Sequence, residues 1–443
     1  MTDITLKKND PKTIHSWAMY DWANSAYNLV ITTTIFPAYY KIVTEAGDIS
    51  NSGSIDFLGF NLKSSSLYNY VLSAAYLVIA FFSPILSSIA DSKGNKKVWM
   101  KFFTYTGATA CCLLFFFTKE TIASSMLFFG IAAIGFTGSL VFYNSYLPEI
   151  STIDRQDAVS AKGYAYGYLG SVILQVICLI LIIYPHQFGI SDAAMASRIS
   201  FLLTGVWWVG FAQIPFEKLP KGSPNYQSST KSNGFKELSK VFKQVKQMPV
   251  LKTFLGGYFF LIMGVNTVML VAALFGAKEL KLSADRLILT ILIIQIIAIF
   301  GARIMAQLSA KFGNIRILVL VGIIWIVVCI TSYTVQTELG FYFLAILVGL
   351  VMGGSQSLSR STYSKFLPEN TADSASFFSF FDFTEKMAIV LGMALFATID
   401  QLINLRTSAL SLIIPFGLGL LFLVKILIKY PTGDERYKIE NPT

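Results

Sequence analysis

Three charged residues stand in a stretch that is otherwise aromatic: Asp382, Glu385 and Lys386 lie among Phe377, Phe378, Phe380, Phe381 and Phe383. Asp382 and Lys386 are spaced i, i+4, so they share a helical face and can neutralise each other. Glu385 is then left without a partner, and a carboxyl held in an apolar setting in that way could carry a proton. A second polar set lies near the start of the chain. Asp21, Asn24 and Asn28 are spaced i, i+3, i+7, which is one helical face, with Ser25 beside them. A site for a zwitterion needs an anion and a cation together, and Asp21 or Glu385 with Lys386 would supply both. Gly163, Gly167 and Gly170 line one face at i, i+4, i+7, a spacing that lets helices approach closely. The alternative is that these glycines leave room for a solute beside Tyr164 and Tyr168. Two arginines complete the set. Snorkelling is the expectation for Arg303, whereas Arg360 can equally snorkel or contact an anionic group.

Other chemistries find no support. There is no His-Glu-x-x-His, no Gly-x-Ser-x-Gly and no cysteine–histidine pair, so the expectation is that the chain is not an enzyme. A phosphate-binding loop of the Gly-x4-Gly-Lys-Ser/Thr type, which a primary pump needs, does not occur. Cys111, Cys112, Cys178 and Cys329 all fall in apolar runs, and His15 and His186 are far apart, so neither a metal site nor another cofactor is expected.

The elements that must hold these groups are dictated by composition. Of 443 residues, 54% are hydrophobic and only 14% charged, with a mean hydropathy of +0.60. A soluble domain carries about a quarter of its residues as charges. This chain has too little polar surface to cover itself in water, and the missing solvent is a lipid bilayer. At about 20 residues per span, twelve spans use roughly 240 residues and leave short loops. The apolar runs fall near 17–40, 67–90, 98–118, 121–147, 162–184, 197–216, 253–277, 286–308, 316–335, 340–364, 375–399 and 407–429. Runs this long and this apolar are helices, not barrel strands. The first, from Trp17 past Tyr39, is too long for a signal core.

Basic residues set the orientation. Lys93, Lys96, Lys97 and Lys101, with Arg155, Lys162, Lys311, Arg316, Arg360, Lys365, the lysines of residues 217–252 and the basic residues of both termini, outnumber the basic residues of the opposite loops about threefold. Both termini and the central segment are therefore expected in the cytoplasm, which requires an even number of spans. The net charge of +10 lies in loops between spans and gives no reason to expect nucleic acid. Residues 222–234 are rich in Ser, Asn and Gly and read as linker. After them, Phe235, Leu238, Phe242 and Val245 alternate with Lys236, Lys240, Lys243 and Lys246, a basic amphipathic helix suited to the inner leaflet. A solvated helix is the competing reading.

The chain also repeats itself. Tyr143-Asn144-Ser145-Tyr146-Leu147-Pro148-Glu149 recurs as Tyr363-Ser364-Lys365-Phe366-Leu367-Pro368-Glu369, and Gly94-Asn95 recurs as Gly313-Asn314. The offsets, 220 and 219, are nearly equal. Two six-helix halves in parallel orientation follow: 1–216, then the linker 217–252, then 253–443, as in transporters that rock about a site at the membrane midplane.

Two segments carry a resemblance. Ser87-Ser88-Ile89-Ala90-Asp91-Ser92-Lys93-Gly94-Asn95-Lys96-Lys97 resembles the signature loop of the major facilitator superfamily. Asp91, Gly94, Lys96 and Lys97 match; Ser87 departs from the usual glycine, and Lys93 stands beside the usual basic position. A carboxylate there can cap a neighbouring helix N-terminus, and Gly94 permits the turn, so these four residues are candidate gating elements. Ala310 replaces the aspartate in the second half, so such a latch is expected to be one-sided.

The segment from Trp17 to Tyr27 looks like the opening of the vacuole-effluxer branch of that superfamily, named for fungal vacuolar amino-acid exporters linked to autophagy. Residues 160–170 and 354–361 and Leu147-Pro148-Glu149 are similar to it too. The resemblance implies secondary transport, by export or exchange of a small polar solute such as an amino acid, by a monomer and with protons as a candidate coupling ion. A proton-coupled exporter of amphipathic compounds is the alternative suggested by 37 Phe and 21 Tyr. A receptor or scaffold that has lost transport is another. Short loops and the absence of Asn-x-Ser/Thr sites fit a bacterial inner membrane.

Overall fold

The computed structural model describes residues 7–45, 54–57, 59–220, 234–368, 371 and 373–429. Sixteen α-helices carry almost all of the described chain, and one short hairpin, Ser54–Phe57 paired with Phe60–Lys63, is its sheet. In chain order the helices are α1 (Pro11–Tyr27), α2 (Ile35–Glu45), α3 (Ser64–Lys93), α4 (Lys96–Leu113), α5 (Ile122–Asn144), α6 (Leu147–Ile150), α7 (Gln156–Ile183) and α8 (Ala193–Lys218). There follow α9 (Gly234–Gln247), α10 (Pro249–Glu279), α11 (Ala284–Phe312), α12 (Asn314–Thr334), α13 (Glu338–Lys365), α14 (Ser374–Leu402), α15 (Leu405–Ser411) and α16 (Ile413–Lys429). A π-helical segment, Asn28–Thr34, joins α1 to α2 without a break.

Among the described residues, ten helices are long and apolar enough to cross a membrane. Two further long stretches lie outside that count: the α1–π–α2 run, and α14 with its three charged residues. Most apolar runs become helices that overshoot them by up to a turn or two, because polar residues at the ends extend the hydrogen-bonded ladder; α4 and α5 instead stop short of the C-terminal ends of their runs, and the last run is divided between α15 and α16. Local chemistry sets several of these ends. Asp10 caps α1 through the Thr13 amide at 2.9 Å, with Pro11 at the first helical position. Asp192 caps α8, Thr337 caps α13 and Asn404 caps α15 in the same way. Gly94 (φ +60°) and Gly313 (φ +87°) make the equivalent tight turns after α3 and α11, in the left-handed region that a side chain disfavours.

Two apolar cores result. One is built from residues between Ile14 and Leu219 together with Ala375, the other from residues between Val245 and Ile426 together with Tyr168. Across the seam between them, α3 packs on α14 and α7 packs on α11 and α13. Backbones approach closely inside each core: a Cβ on Gly135 would lie 2.4 Å from the Gly107 Cα, and one on Gly353 2.4 Å from the Ala298 carbonyl oxygen.

Of the expected linker, 217–252, helix α8 takes in the first two residues, to Lys218, and α10 the last four, from Pro249. Most of the Ser/Asn/Gly segment, residues 221–233, lies outside the described residues. The basic amphipathic stretch is helix α9, which packs against α3, α14 and α10. Val245 is buried there and Phe242 is 55% exposed, its ring 6.3 Å from that of Phe380, while Lys243 and Lys246 point outward.

Candidate functional site

Arg360 of α13 is only 2% exposed, yet every polar part of its guanidinium is used. It reaches across the seam into α1, α5 and α7. Its Nη1 donates to Asp21 Oδ2 at 3.3 Å and to Asn144 Oδ1 at 3.1 Å. Its Nε donates to Ser160 Oγ at 2.9 Å, and its Nη2 to the Ser160 carbonyl at 2.8 Å. Asp21 also accepts from the Tyr143 hydroxyl at 2.7 Å. The flat cation is boxed by rings, with Tyr164 at 4.2 Å, Trp17 at 4.8 Å and Tyr143 at 5.5 Å from it. Of the two roles open to Arg360, contact with an anion is the one observed. The anion is Asp21.

Glycine is required next to this pair. A Cβ on Gly163 would sit 2.7 Å from Asp21 Oδ2 and 2.9 Å from Arg360 Nη2, and one on Gly167 would meet Ser25 Oγ at 2.6 Å. Gly170 likewise faces Trp22. The glycine face of α7 is thus filled by α1, and close packing accounts for it without room for a solute.

Asn24 is buried with its Nδ2 unpartnered. Asn28 follows Asp21 at i+7 through regular α-helix and is exposed, as the first residue of the π segment. The wider π turns begin after Asn28, so they leave the i, i+7 register from Asp21 intact.

A second charged cluster lies on α14. Lys386 Nζ is 3.1 Å from Asp382 Oδ1, the i, i+4 pair, and 3.8 Å from Glu385 Oε2. Glu385 is therefore not the partnerless carboxyl expected from the sequence. The long lysine side chain bends round the helix and is shared between two carboxylates, with Asp382 the nearer. The Glu385 side chain is 27% exposed, against 6% for both of the others, and Asp382 Oδ2 has no hydrogen-bond partner. The Tyr76 ring lies 5.5 Å from Lys386 Nζ. Tyr164, which covers Arg360, has its ring 6.0 Å from that of Tyr168. Beside it, Tyr168 donates to Gln356 Oε1 across the seam at 2.6 Å. At 1.5 Å per residue, Asp21 and Lys386 stand ~15 and ~18 Å from the near ends of their helices, about half the hydrocarbon thickness.

Polar locks close that near end on both seams. On the α3–α14 seam, Asp91 accepts from the amides of Ala375 (3.2 Å) and Ser376 (2.8 Å) and from Ser376 Oγ (2.8 Å), at the N-terminus of α14. Lys96 pairs with Glu149 and donates to Ser374 Oγ at 3.1 Å, tying α4 and α6 to α14. Lys97 points away from the seam and donates to the Leu219 carbonyl at 2.6 Å.

On the α7–α11 seam, Asp157 accepts from Lys365 Nζ (2.5 Å), Asn314 Nδ2 (2.7 Å) and Ser309 Oγ (3.2 Å). This overturns the one-sided latch. Ala310 does lack a carboxylate, but the carboxylate has moved to the partner helix. Asp157 lies 219 positions before Ser376, as Asp91 lies 219 before Ala310, so the repeat keeps the contact and exchanges which side is acidic. Sequence reasoning missed Asp157, although that offset was the signal. It also missed Ser160 and Asn144 as Arg360 ligands and Tyr143 as a donor to Asp21. Among the described residues no group of His, Cys, Asp and Glu could hold a metal.

Comparison with known proteins agrees with this architecture. The family described as "Vacuole effluxer Atg22 like" matches residues 9–430. An uncharacterized MFS-type transporter, YxiO of Bacillus subtilis (strain 168), is 33% identical over 94% of this chain and 95% of its own length. Autophagy-related protein 22 of Yarrowia lipolytica is 26% identical over 83% of this chain and 77% of its own. Among solved structures, the transporter FucP in its outward conformation superposes with a TM-score of 0.69 at 12% identity, over 94% of this chain and 98% of FucP. The human organic anion transporter MFSD10 gives 0.72 at 10% identity, over 94% and 100%. The chain is thus a multi-pass membrane protein that belongs to the vacuole effluxer Atg22-like family of major facilitator transporters.

Proposed function

We propose that this protein is a secondary transporter that exports or exchanges a small zwitterionic solute, such as an amino acid, by alternating access. The observation that carries this reading is the α14 cluster. A partly exposed carboxylate (Glu385) and a cation (Lys386) stand side by side near mid-depth, next to Tyr76. A zwitterion offers the complementary pair, an ammonium for Glu385 and a carboxylate for Lys386. The family's description as vacuole effluxers supports export.

In this reading twelve spans form two six-helix halves, 1–216 and 253–443, joined by 217–252, with both termini cytoplasmic and the monomer acting alone in a bacterial inner membrane. The α1–π–α2 run and α14 supply the two spans beyond the ten apolar helices. Asp91, Gly94, Lys96 and Lys97 belong to the cytoplasmic gate, and Asp157 is its counterpart on the other seam. The closed polar locks then describe an outward-facing state, and Arg360–Asp21 is the floor beneath the solute. Asn24, Asn28, Tyr164, Tyr168 and Asp382 surround or support the site. Glu385 is the candidate proton carrier.

Thermal-shift screening of the purified protein tests the solute class. Free amino acids should raise the unfolding temperature, and their methyl esters and the corresponding decarboxylated amines should not. Equal shifts from esters and free amino acids would exclude recognition of a zwitterion.

A further inference from the structure

Arg303 is a charge in the wrong place for a lipid-facing helix. It lies nine residues before the end of α11 at Phe312, ~13 Å along the axis. It is exposed on the side that carries Ile296, Phe300 and Ile304, all exposed and apolar, which is how a lipid-facing surface reads. Beside it, Ala302 and Ala306 turn inward and pack against Ala161 of α7. Arg303 therefore flanks the α7–α11 seam. Among the described residues it has no ion pair and no hydrogen-bonding partner.

Snorkelling does not resolve this easily. The Cα–Cβ bond of a helical residue tilts toward the helix N-terminus, which for α11 is the end remote from the Gly313 turn. The side chain thus starts out pointing deeper into the bilayer, away from the nearer interface. Below it, Gln307 and Lys311 follow at i+4 and i+8, both exposed, and they continue the polar stripe to the end of the helix. No acidic residue interrupts that stripe. Two positive charges and an amide are thus aligned over two helical turns on a surface that hydrocarbon bathes.

We propose that Arg303, Gln307 and Lys311 form a binding site for an anionic phospholipid whose phosphate is drawn down to the Arg303 guanidinium. The planar guanidinium can hold two phosphate oxygens at once, Gln307 can donate one amide hydrogen bond, and Lys311 meets the headgroup at the interface. The occupant is a lipid and not free phosphate, because Phe300, Ile304 and Ile296 wall the site with side chains that suit acyl tails. The site lies against the seam that Asp157 and Ser309 lock, on the flank that must slide if that seam opens.

Native mass spectrometry of the full-length protein, titrated with phosphatidylglycerol or phosphatidylcholine, tests the site. The parent should retain phosphatidylglycerol over phosphatidylcholine. Arg303→Gln should cut retention of phosphatidylglycerol roughly tenfold, as loss of the bidentate contact implies, and Arg303→Lys should fall between the two. Gln307→Glu, a change at an exposed position, should cut it as strongly by placing a carboxylate beside the arginine. Lys162→Gln, on the neighbouring helix, should leave it unchanged. Unfolding midpoints in lipid-free detergent check that each variant is folded. Retention unaltered by both Arg303→Gln and Gln307→Glu would overturn the site, and so would displacement of the lipid by glycerol phosphate.

Discussion

Asp91→Asn removes one negative charge from the N-terminus of α14 and leaves the volume unchanged. The asparagine keeps a single oxygen for the amides of Ala375 and Ser376, and its own NH2 must face donors. Hydrogen bonds to a charged group contribute ~1.5–3 kcal/mol, against ~0.5–1.5 for neutral pairs. A charge at a partly buried helix N-terminus is worth up to ~2 kcal/mol. These terms overlap, so about 2 kcal/mol is a fair total, and it is lost only when the seam is closed. That loss shifts the ratio of closed to open by about 30-fold. The assay is alkylation of a cysteine at Ala306, which is buried on the α7–α11 seam, in a background lacking Cys111, Cys112, Cys178 and Cys329. Maleimide applied from the cytoplasmic side should react faster by up to that factor in Asp91→Asn, with expression unchanged. A rate within about twofold of the parent would refute the latch and leave Asp91 an ordinary helix cap.

Asp157→Asn should raise the same alkylation rate, because it strands Lys365 in a contact that is 12% exposed for that side chain; combined with Asp91→Asn the effects should add, as the seams are separate. Gly163→Ala should lower the unfolding free energy by ~1–3 kcal/mol through collision with Asp21 and Arg360, whereas Gly210→Ala, which meets nothing within 4 Å, should be neutral by the same denaturation measurement. Glu385→Gln should make transport in liposomes insensitive to an imposed pH gradient and should raise the solute concentration needed for half-maximal exchange, since the ammonium loses its carboxylate; a parent-like response to the gradient would move the coupling ion elsewhere.

The helices were legible because their signal is additive: a run of twenty apolar residues outweighs any local exception. The cap that Asp91 places on a neighbouring helix was legible for a different reason, since a carboxylate beside a glycine turn at a helix end is suited to meet a helix N-terminus. Three features of the site were not. The sharing of Lys386 depends on how far a four-carbon arm can bend round its own helix, which the i, i+4 spacing of Asp382 and Lys386 does not tell. The exposure of Asn28 depends on what the fold places beside that end of the helix, which the 3.6-residue period shared by Asp21, Asn24 and Asn28 does not carry. The pairing of Arg360 with Asp21 joins residues far apart in the chain, and no periodicity within one helix contains it. Asp157 belongs to a fourth kind. It was visible in the repeat, but only to a comparison that allows the two halves to exchange the acidic partner.

The central claim is that the α14 cluster binds the transported zwitterion, and counterflow tests it most directly. Liposomes loaded with an unlabelled amino acid identified by thermal shift should accumulate the labelled form transiently when they contain the parent protein. Lys386→Gln, with its unfolding midpoint checked, should accumulate none, because the cation that meets the solute carboxylate is gone. Parent-level counterflow in folded Lys386→Gln would contradict the assignment of the site, and its absence in the parent for every amino acid tried would contradict the solute class.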